Sequence, residues 1–237
     1  MRKNFMALTA GILLTTAAVA QKQERETLEG NGNLVTKEIA VTSFSEIKAS
    51  GVYELRLSQG SKESVKIEAD ENLQDLFEVK NEGNKLVIDT KKMNNINLKS
   101  KNKMRVYVTF KSIKNLEIST VGNVGSDDKL TFDDLQFRNS SVGHVELNMT
   151  ANKLDMDNKS VGDVKLSGKA QNAVLVNNGV GSIKAGDFLV QTMNIENTGV
   201  GNAEVNAEKE LKVKDSMLGK VKNKGAAPVR KTNKVVI

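Results

Sequence analysis

The 237-residue chain has no cysteine and no tryptophan, a single proline, a single histidine and only 4% aromatic residues. Without cysteine no disulfide can stabilise it, which is no bar to export. So few rings exclude an ordinary aromatic-rich core. With 38% apolar residues the interior has to be thin and aliphatic. A lone histidine cannot build a histidine-rich metal site or a nucleophile triad by itself. Beyond the first twenty residues no apolar run approaches membrane-spanning length. The length is compatible with one domain.

The chain has instead a phrase repeated six times. It reads Val121-Gly122-Asn123-Val124, Val142-Gly143-His144-Val145, Val161-Gly162-Asp163-Val164, Val180-Gly181-Ser182-Ile183, Val200-Gly201-Asn202-Ala203 and Leu218-Gly219-Lys220-Val221. Successive glycines are 21, 19, 19, 20 and 18 residues apart. A fixed period near 20 marks a repeat architecture, in which one unit cannot bury its apolar face alone.

The register within each copy identifies the architecture. Eight residues before the glycine stand Leu135, Leu154, Ala173, Met193 and Leu211; six before it stand Leu116, Phe137, Met156, Leu175, Ile195 and Val213; two after it stand Val124, Val145, Val164, Ile183, Ala203 and Val221. Inward positions two apart are strand periodicity, and no 3.6-residue stripe survives across the copies. The expected fold is all-β: a single-chain, parallel, right-handed β-helix whose ~20-residue coils stack at about 4.8 Å. Four residues before the glycine come Asn139, Asn158, Asn177, Asn197 and then Asp215, with Ile118 in the first copy. Stacked amides can bond along such a row, and asparagine tolerates the backbone of a bend. These five residues are the expected structural ladder, and the glycine completes the corner.

Residues 1–20 read as a secretory signal peptide: Arg2 and Lys3, the apolar run Phe5 to Ala17, then Ala18-Val19-Ala20 as a small-residue cleavage site. Residues 21–237 are the expected β-helix domain, with 31–110 its irregular first coils and cap and 111–237 its regular repeats. Removing the leader leaves 33 basic against 29 acidic residues, a net charge of +4. Strands are expected at Val52–Leu57, Ser64–Glu68, Lys85–Asp89 and Met104–Phe110, and one helical turn at Glu71–Phe77. A cap is required because an open terminal coil is an unpaired strand edge.

Phe44, Ile47, Ser50-Gly51-Val52-Tyr53, Gln59-Gly60 and Ile67-Glu68-Ala69-Asp70-Glu71-Asn72-Leu73, followed by the glycine repeats, resemble the head-GIN-domain family of bacterial adhesins. The resemblance covers most of the chain after the leader. It implies a pectin-lyase-like β-helix acting in adhesion rather than catalysis. The family's repeats usually read Ser-Gly-Ser-Gly followed by an acidic residue. Here the phrase is mostly Ser/Gly-Val-Gly, with an acid only at Asp163.

The remaining chemistry is sparse. Enzymes built on β-helices collect carboxylates on adjacent coils. Here the outward places hold Gln136 and Arg138, Asp155 and Asp157, Val174 and Val176, Asn194 and Glu196, then Lys212 and Lys214. Asp155 and Asp157 could serve a glycosidase, but the next coil offers only valines, and Asp157 is expected to pair with Arg138. His144 occupies the variable place after the glycine and reads as corner filler. Asp127, Asp128, Asp133 and Asp134 form an acidic stretch of the type that suits Ca²⁺, although the calcium-binding repeat spacings are absent. The basic stretch Lys91, Lys92, Lys99, Lys101 and Lys103 could meet an acidic polysaccharide or lipid head group, or be a solvated loop. Asp215-Ser216-Met217 fits a short O-glycosylation acceptor, with Ser216 as the modified residue.

The expectation is therefore an exported, non-catalytic binding or structural protein, with no catalytic residue and no required cofactor. It would lie in the periplasm or on the outer surface of a Gram-negative bacterium. Its partner would be a cell-envelope protein or glycan. Nucleic acid is disfavoured, because the basic segments lack stacking aromatics. A polysaccharide-active lyase or glycosidase is the alternative.

Overall fold

A computed structural model describes residues 26–91 and 96–232. The expected signal peptide and Lys92 lie outside the described residues. The chain winds into a parallel β-solenoid of about six turns. Strands Leu130–Asn139, Val145–Asn158, Val164–Asn177, Ile183–Asn197 and Ala203–Asp215 each lie parallel on the next. Register keeps like over like. Leu135, Leu154, Ala173, Met193 and Leu211 are successive partners, as are Phe137, Met156, Leu175, Ile195 and Val213. Every one of these ten side chains is buried, at 3% exposure or less. The thin interior holds these two stacked columns, the Val145–Val164–Ile183–Ala203 column beside the corner and an Ala151–Ala170–Val190–Ala207 column at the far side of the coils.

The N-terminal turns carry the same architecture with different edges. Glu46–Val52 lies parallel to Asn115–Val121 on one side and to Lys85–Thr90 on the other. Glu54–Gln59 lies parallel to Val124–Ser126 and to Arg105–Phe110. Beyond these the pairing turns antiparallel: Leu34–Ile39 on Ser64–Asp70, Ser64–Asp70 on Arg105–Phe110, and Phe77–Glu82 on Lys85–Thr90. Antiparallel pairing folds over the first coil and occupies its edge, with Phe77–Glu82 and Lys85–Thr90 as a tight hairpin and the other two pairs joining strands distant in sequence. The helical turn is a 3-10 helix, Glu71–Leu76, whose Leu73 is fully buried. The basic stretch is not wholly a loop, because Ile96–Lys99 pairs in parallel with Glu26–Glu29. At the other end, among the described residues, only Val221–Asn223 and Val229–Lys231 pair with the outer edge of the last long strand. Both are short and lysine- or arginine-bearing, features that discourage edge-to-edge aggregation.

Candidate functional site

One corner of the solenoid is built identically in coil after coil. Asn139 Nδ2 donates to Asn158 Oδ1 at 2.8 Å, Asn158 Nδ2 to Asn177 Oδ1 at 2.7 Å, and Asn177 Nδ2 to Asn197 Oδ1 at 2.6 Å. All four residues are buried. In the first three, the carboxamide oxygen also accepts from the residue two places on, closing the bend: Ser141 Oγ on Asn139, Ser160 Oγ on Asn158 and Gly179 N–H on Asn177. Below, the row ends on apolar Ile118, the register partner of Asn139. Above, Asn197 Nδ2 turns to the Gly201 carbonyl. Asp215 therefore does not join the ladder as the sequence implied. Its carboxylate takes Lys231 Nζ at 3.1 Å, a cation within reach from the next turn of the chain.

Four residues beyond each ladder position the backbone passes the carbonyl of the coil below. At Gly162 φ is +131°, and a Cβ would lie 2.2 Å from the Gly143 oxygen. Glycine is needed there for conformation and for close approach at once. Gly122, Gly143, Gly181 and Gly201 share the left-handed-side φ.

This geometry fixes what the corner presents outward. Inward residues fall at even offsets from the glycine, so the valine immediately before it faces solvent. Val121, Val142, Val161, Val180 and Val200 are bridged one to the next along the rod. Each is about half exposed, between 49% and 52%. Leu218, whose carbonyl accepts from Gly201 N–H, extends the row at 69% exposed, beside Met217 at 94%. At its foot the row continues into half-buried Val52. The result is a straight apolar ridge about 24 Å long from Val121 to Leu218. Sequence reasoning quoted these valines but gave them no role, although the parity of the offsets already pointed them outward.

Two polar rows flank the ridge. On one side stand Ser119, Ser140, Lys159, Asn178, Thr198 and Ser216; on the other Asn123, His144, Asp163, Ser182, Asn202 and Lys220. The second row also ties coils together: Asn123 Oδ1 accepts from His144 N–H and Asp163 Oδ1 from Ser182 N–H. The Lys184 ammonium and that Ser182 N–H hold the Asp163 carboxyl below the ordinary carboxylate range. The His144 ring is exposed. Beyond this row Lys165, Lys184, Glu204 and Lys222 follow one another in register. They line an open groove of about 700 Å³ next to the bulge at Gly186. Its charges are largely spent on neighbours, Lys165 on Glu146, Lys184 on Asp163 and Lys224 on Glu204.

The other candidates do not converge. Asp127 and Asp128 sit in a bend after Val124–Ser126, while Asp133 and Asp134 lie within strand Leu130–Asn139. The acidic stretch is split because Leu130 and Phe132 are core residues and draw the chain back into the sheet. Asp127 lies 3.7 Å from Arg56. Among the described residues no three His, Cys, Asp or Glu side chains come together to hold a metal ion. Asp155 and Asp157 share a face, bordered by Gln136 and Arg138 below and by Val174 and Val176 above. Arg138 is the register partner of Asp157, but the ion pair expected between them is replaced by Lys159 Nζ at 3.2 Å. Lys159 is two residues along the same chain, so its reach is set locally. Ser216 is half buried in the last corner, its Oγ accepting from Leu218 N–H.

Residues 43–227 match the family model described as "Putative auto-transporter adhesin, head GIN domain". Among solved structures, a "putative adhesin" from Bacteroides fragilis is 28% identical, with a TM-score of 0.71 over 86% of this chain and 100% of that one. A second "putative adhesin", from Parabacteroides distasonis, is 24% identical, with a TM-score of 0.62 over 87% and 96% of the two chains. A "putative lipid binding protein" from the same species is 19% identical, with a TM-score of 0.55 over 88% and 100%. The last two speak for the fold alone. No curated protein matches the chain.

Proposed function

Because the chain belongs to the head-GIN-domain family of adhesins, we propose that it is an exported, non-catalytic binding protein of the Gram-negative cell envelope whose contact surface is the valine ridge. The partner class is a cell-envelope protein or glycan, met in the periplasm or at the outer surface. One observation carries this reading: five valines stand in line, each half exposed, on a corner whose fold requires only the asparagine and the glycine. A scattered surface valine needs no explanation, but a continuous apolar row rimmed by polar residues marks an interaction surface. The leader-like first twenty residues support export. Asp155 and Asp157 share a face, but the next coil sets Val174 and Val176 beside them and Lys159 takes Asp157, which supports a binding role over polysaccharide cleavage, where two free carboxyls act across one bond.

The test is capture of the full-length protein on an array of envelope glycans and envelope proteins. Val161→Lys should weaken capture at least tenfold, while Asn172→Lys, on an exposed position away from the ridge, should leave it unchanged. Equal capture by both variants would move the contact surface elsewhere. Turnover of a polysaccharide by the parent protein would replace the reading with an enzymatic one.

A further inference from the structure

The ridge makes specific demands on whatever covers it. Its knobs repeat every coil at about 4.8 Å, so a surface of irregular or different spacing would seat only some of them. An object with the same repeat along the same direction can meet every rung. We infer that the ridge pairs with the ridge of a second copy of this chain, the two rods lying side by side and parallel about a two-fold axis that runs along them. This rests on the ridge being the contact surface, and it names the partner.

The flanking rows favour this arrangement over the antiparallel one. A two-fold axis along the rods carries each left flank onto the partner's right flank at the same coil. Ser119 then faces Asn123, Ser140 faces His144, Asn178 faces Ser182 and Thr198 faces Asn202, all pairs able to exchange hydrogen bonds. The central coil holds a charge on each flank, and there Lys159 faces Asp163, which are of opposite sign. An antiparallel pair centred on Val161 would set Lys159 on Lys159 and Asp163 on Asp163, an arrangement that like-charge repulsion disfavours. Lys159 is exposed with its ammonium 3.2 Å from Asp157, and Asp163 already takes Lys184 at 2.6 Å, so both can bridge outward without leaving a buried charge.

The area is adequate. Half of a valine surface is on the order of 75 Å², so five valines and Leu218 supply roughly 500 Å² per copy before any flank is counted. The pair therefore buries about 1,000 Å² or more, the size at which specific association begins. An isologous contact of this kind closes at two copies and does not propagate into a fibre.

The absence of cysteine makes the geometry directly readable. Val121→Cys, Val161→Cys and Val200→Cys, each made singly in the full-length protein, introduce one thiol on an exposed rung. Under mild oxidation all three should give disulfide-linked dimers, since a parallel axis opposes every rung to its own copy. Asn172→Cys should give none. Sedimentation of the cysteine-free parent should show a dimer that Val161→Lys converts to monomer with unchanged circular dichroism. Lys159→Asn should loosen the dimer several-fold. Cross-linking by Val161→Cys alone, or a tighter dimer with Lys159→Asn, would mean antiparallel pairing and overturn the inference. A parent that sediments as a monomer at about 100 µM overturns it as well. If Val161→Lys still abolishes capture on the envelope array in that case, the ridge remains the contact surface and only the partner assigned here is wrong. If the variant changes neither, both fall together.

Discussion

Replacing Asn177 by leucine removes the middle of the buried amide row while keeping the branching of the side chain's heavy atoms. The native carboxamide makes three contacts: it accepts from Asn158 Nδ2 at 2.7 Å and from Gly179 N–H at 3.3 Å, and donates to Asn197 Oδ1 at 2.6 Å. Asn177 is 0% exposed, and its two ladder neighbours are exposed by 2% or less, so water cannot easily replace those partners. Each buried polar group left unsatisfied costs about 1–3 kcal/mol, and three are left here. Added apolar contact from leucine offsets about 1 kcal/mol of that. The expected loss is about 2–8 kcal/mol, which lowers the melting temperature by at least roughly 4 °C for a domain of this size. Asn202→Leu is the matched control. It stands in the exposed row after a glycine and should cost no more than about 0.5 kcal/mol. Thermal unfolding followed by circular dichroism reads both. Equal small shifts would refute the reasoning, since the asparagines would then be ordinary bend residues and the row would carry no energy.

Other perturbations follow from the same geometry. Gly162→Ala forces a Cβ against the Gly143 carbonyl at a positive φ and should destabilise by more than about 2 kcal/mol in denaturant unfolding. Gly219→Ala, where the left-handed-side φ is absent and the approach is 2.7 Å, should cost less. Leu154→Ala opens the first column at a fully buried rung and should cost about 2–5 kcal/mol by the same measurement. Burial alone would raise the Glu54 carboxyl, but hydrogen bonds and charge from Lys103 and Arg105 outweigh it and hold the group below its ordinary value of 4.5. Its ionised form is favoured in the folded chain, so its contribution is complete above pH 4.5 and is lost as the pH falls through the lower folded value. Glu54→Gln should therefore flatten the acid limb of a stability–pH curve and leave its shape near pH 7 unchanged.

The period and the parity of the repeat carried most of the fold into the sequence. In a parallel in-register stack each residue sits on its own equivalent, so an offset read from the glycine names a whole column. That is why Leu135, Leu154 and Leu211, or Phe137, Met156 and Val213, could be assigned together. Register says which backbone positions are opposed but not which of several charged tips a long side chain will reach. Asp157 accordingly found Lys159 rather than Arg138, and Asp215 found Lys231, 16 residues on, rather than the amide beneath it. The antiparallel cap was legible as strands but not as pairing, since residues such as Ser64–Asp70 and Arg105–Phe110 meet at sequence separations of 37 to 45 with no repeat to align them. The ridge is a different case. Its signal, an apolar residue at an odd offset in every copy, was present in the sequence, and it was absorbed into the corner phrase because valine is usually inward.

The central claim is that this ridge is covered when the protein is at work. The alkylation rate of a Val161→Cys thiol by a small maleimide, taken relative to Asn172→Cys, tests it in intact cells and in dilute purified protein. Half exposure of Val161 predicts ready labelling in dilute solution. The account predicts at least tenfold slower relative labelling in cells, where a partner lies on the ridge. The same ratio in both settings would contradict it.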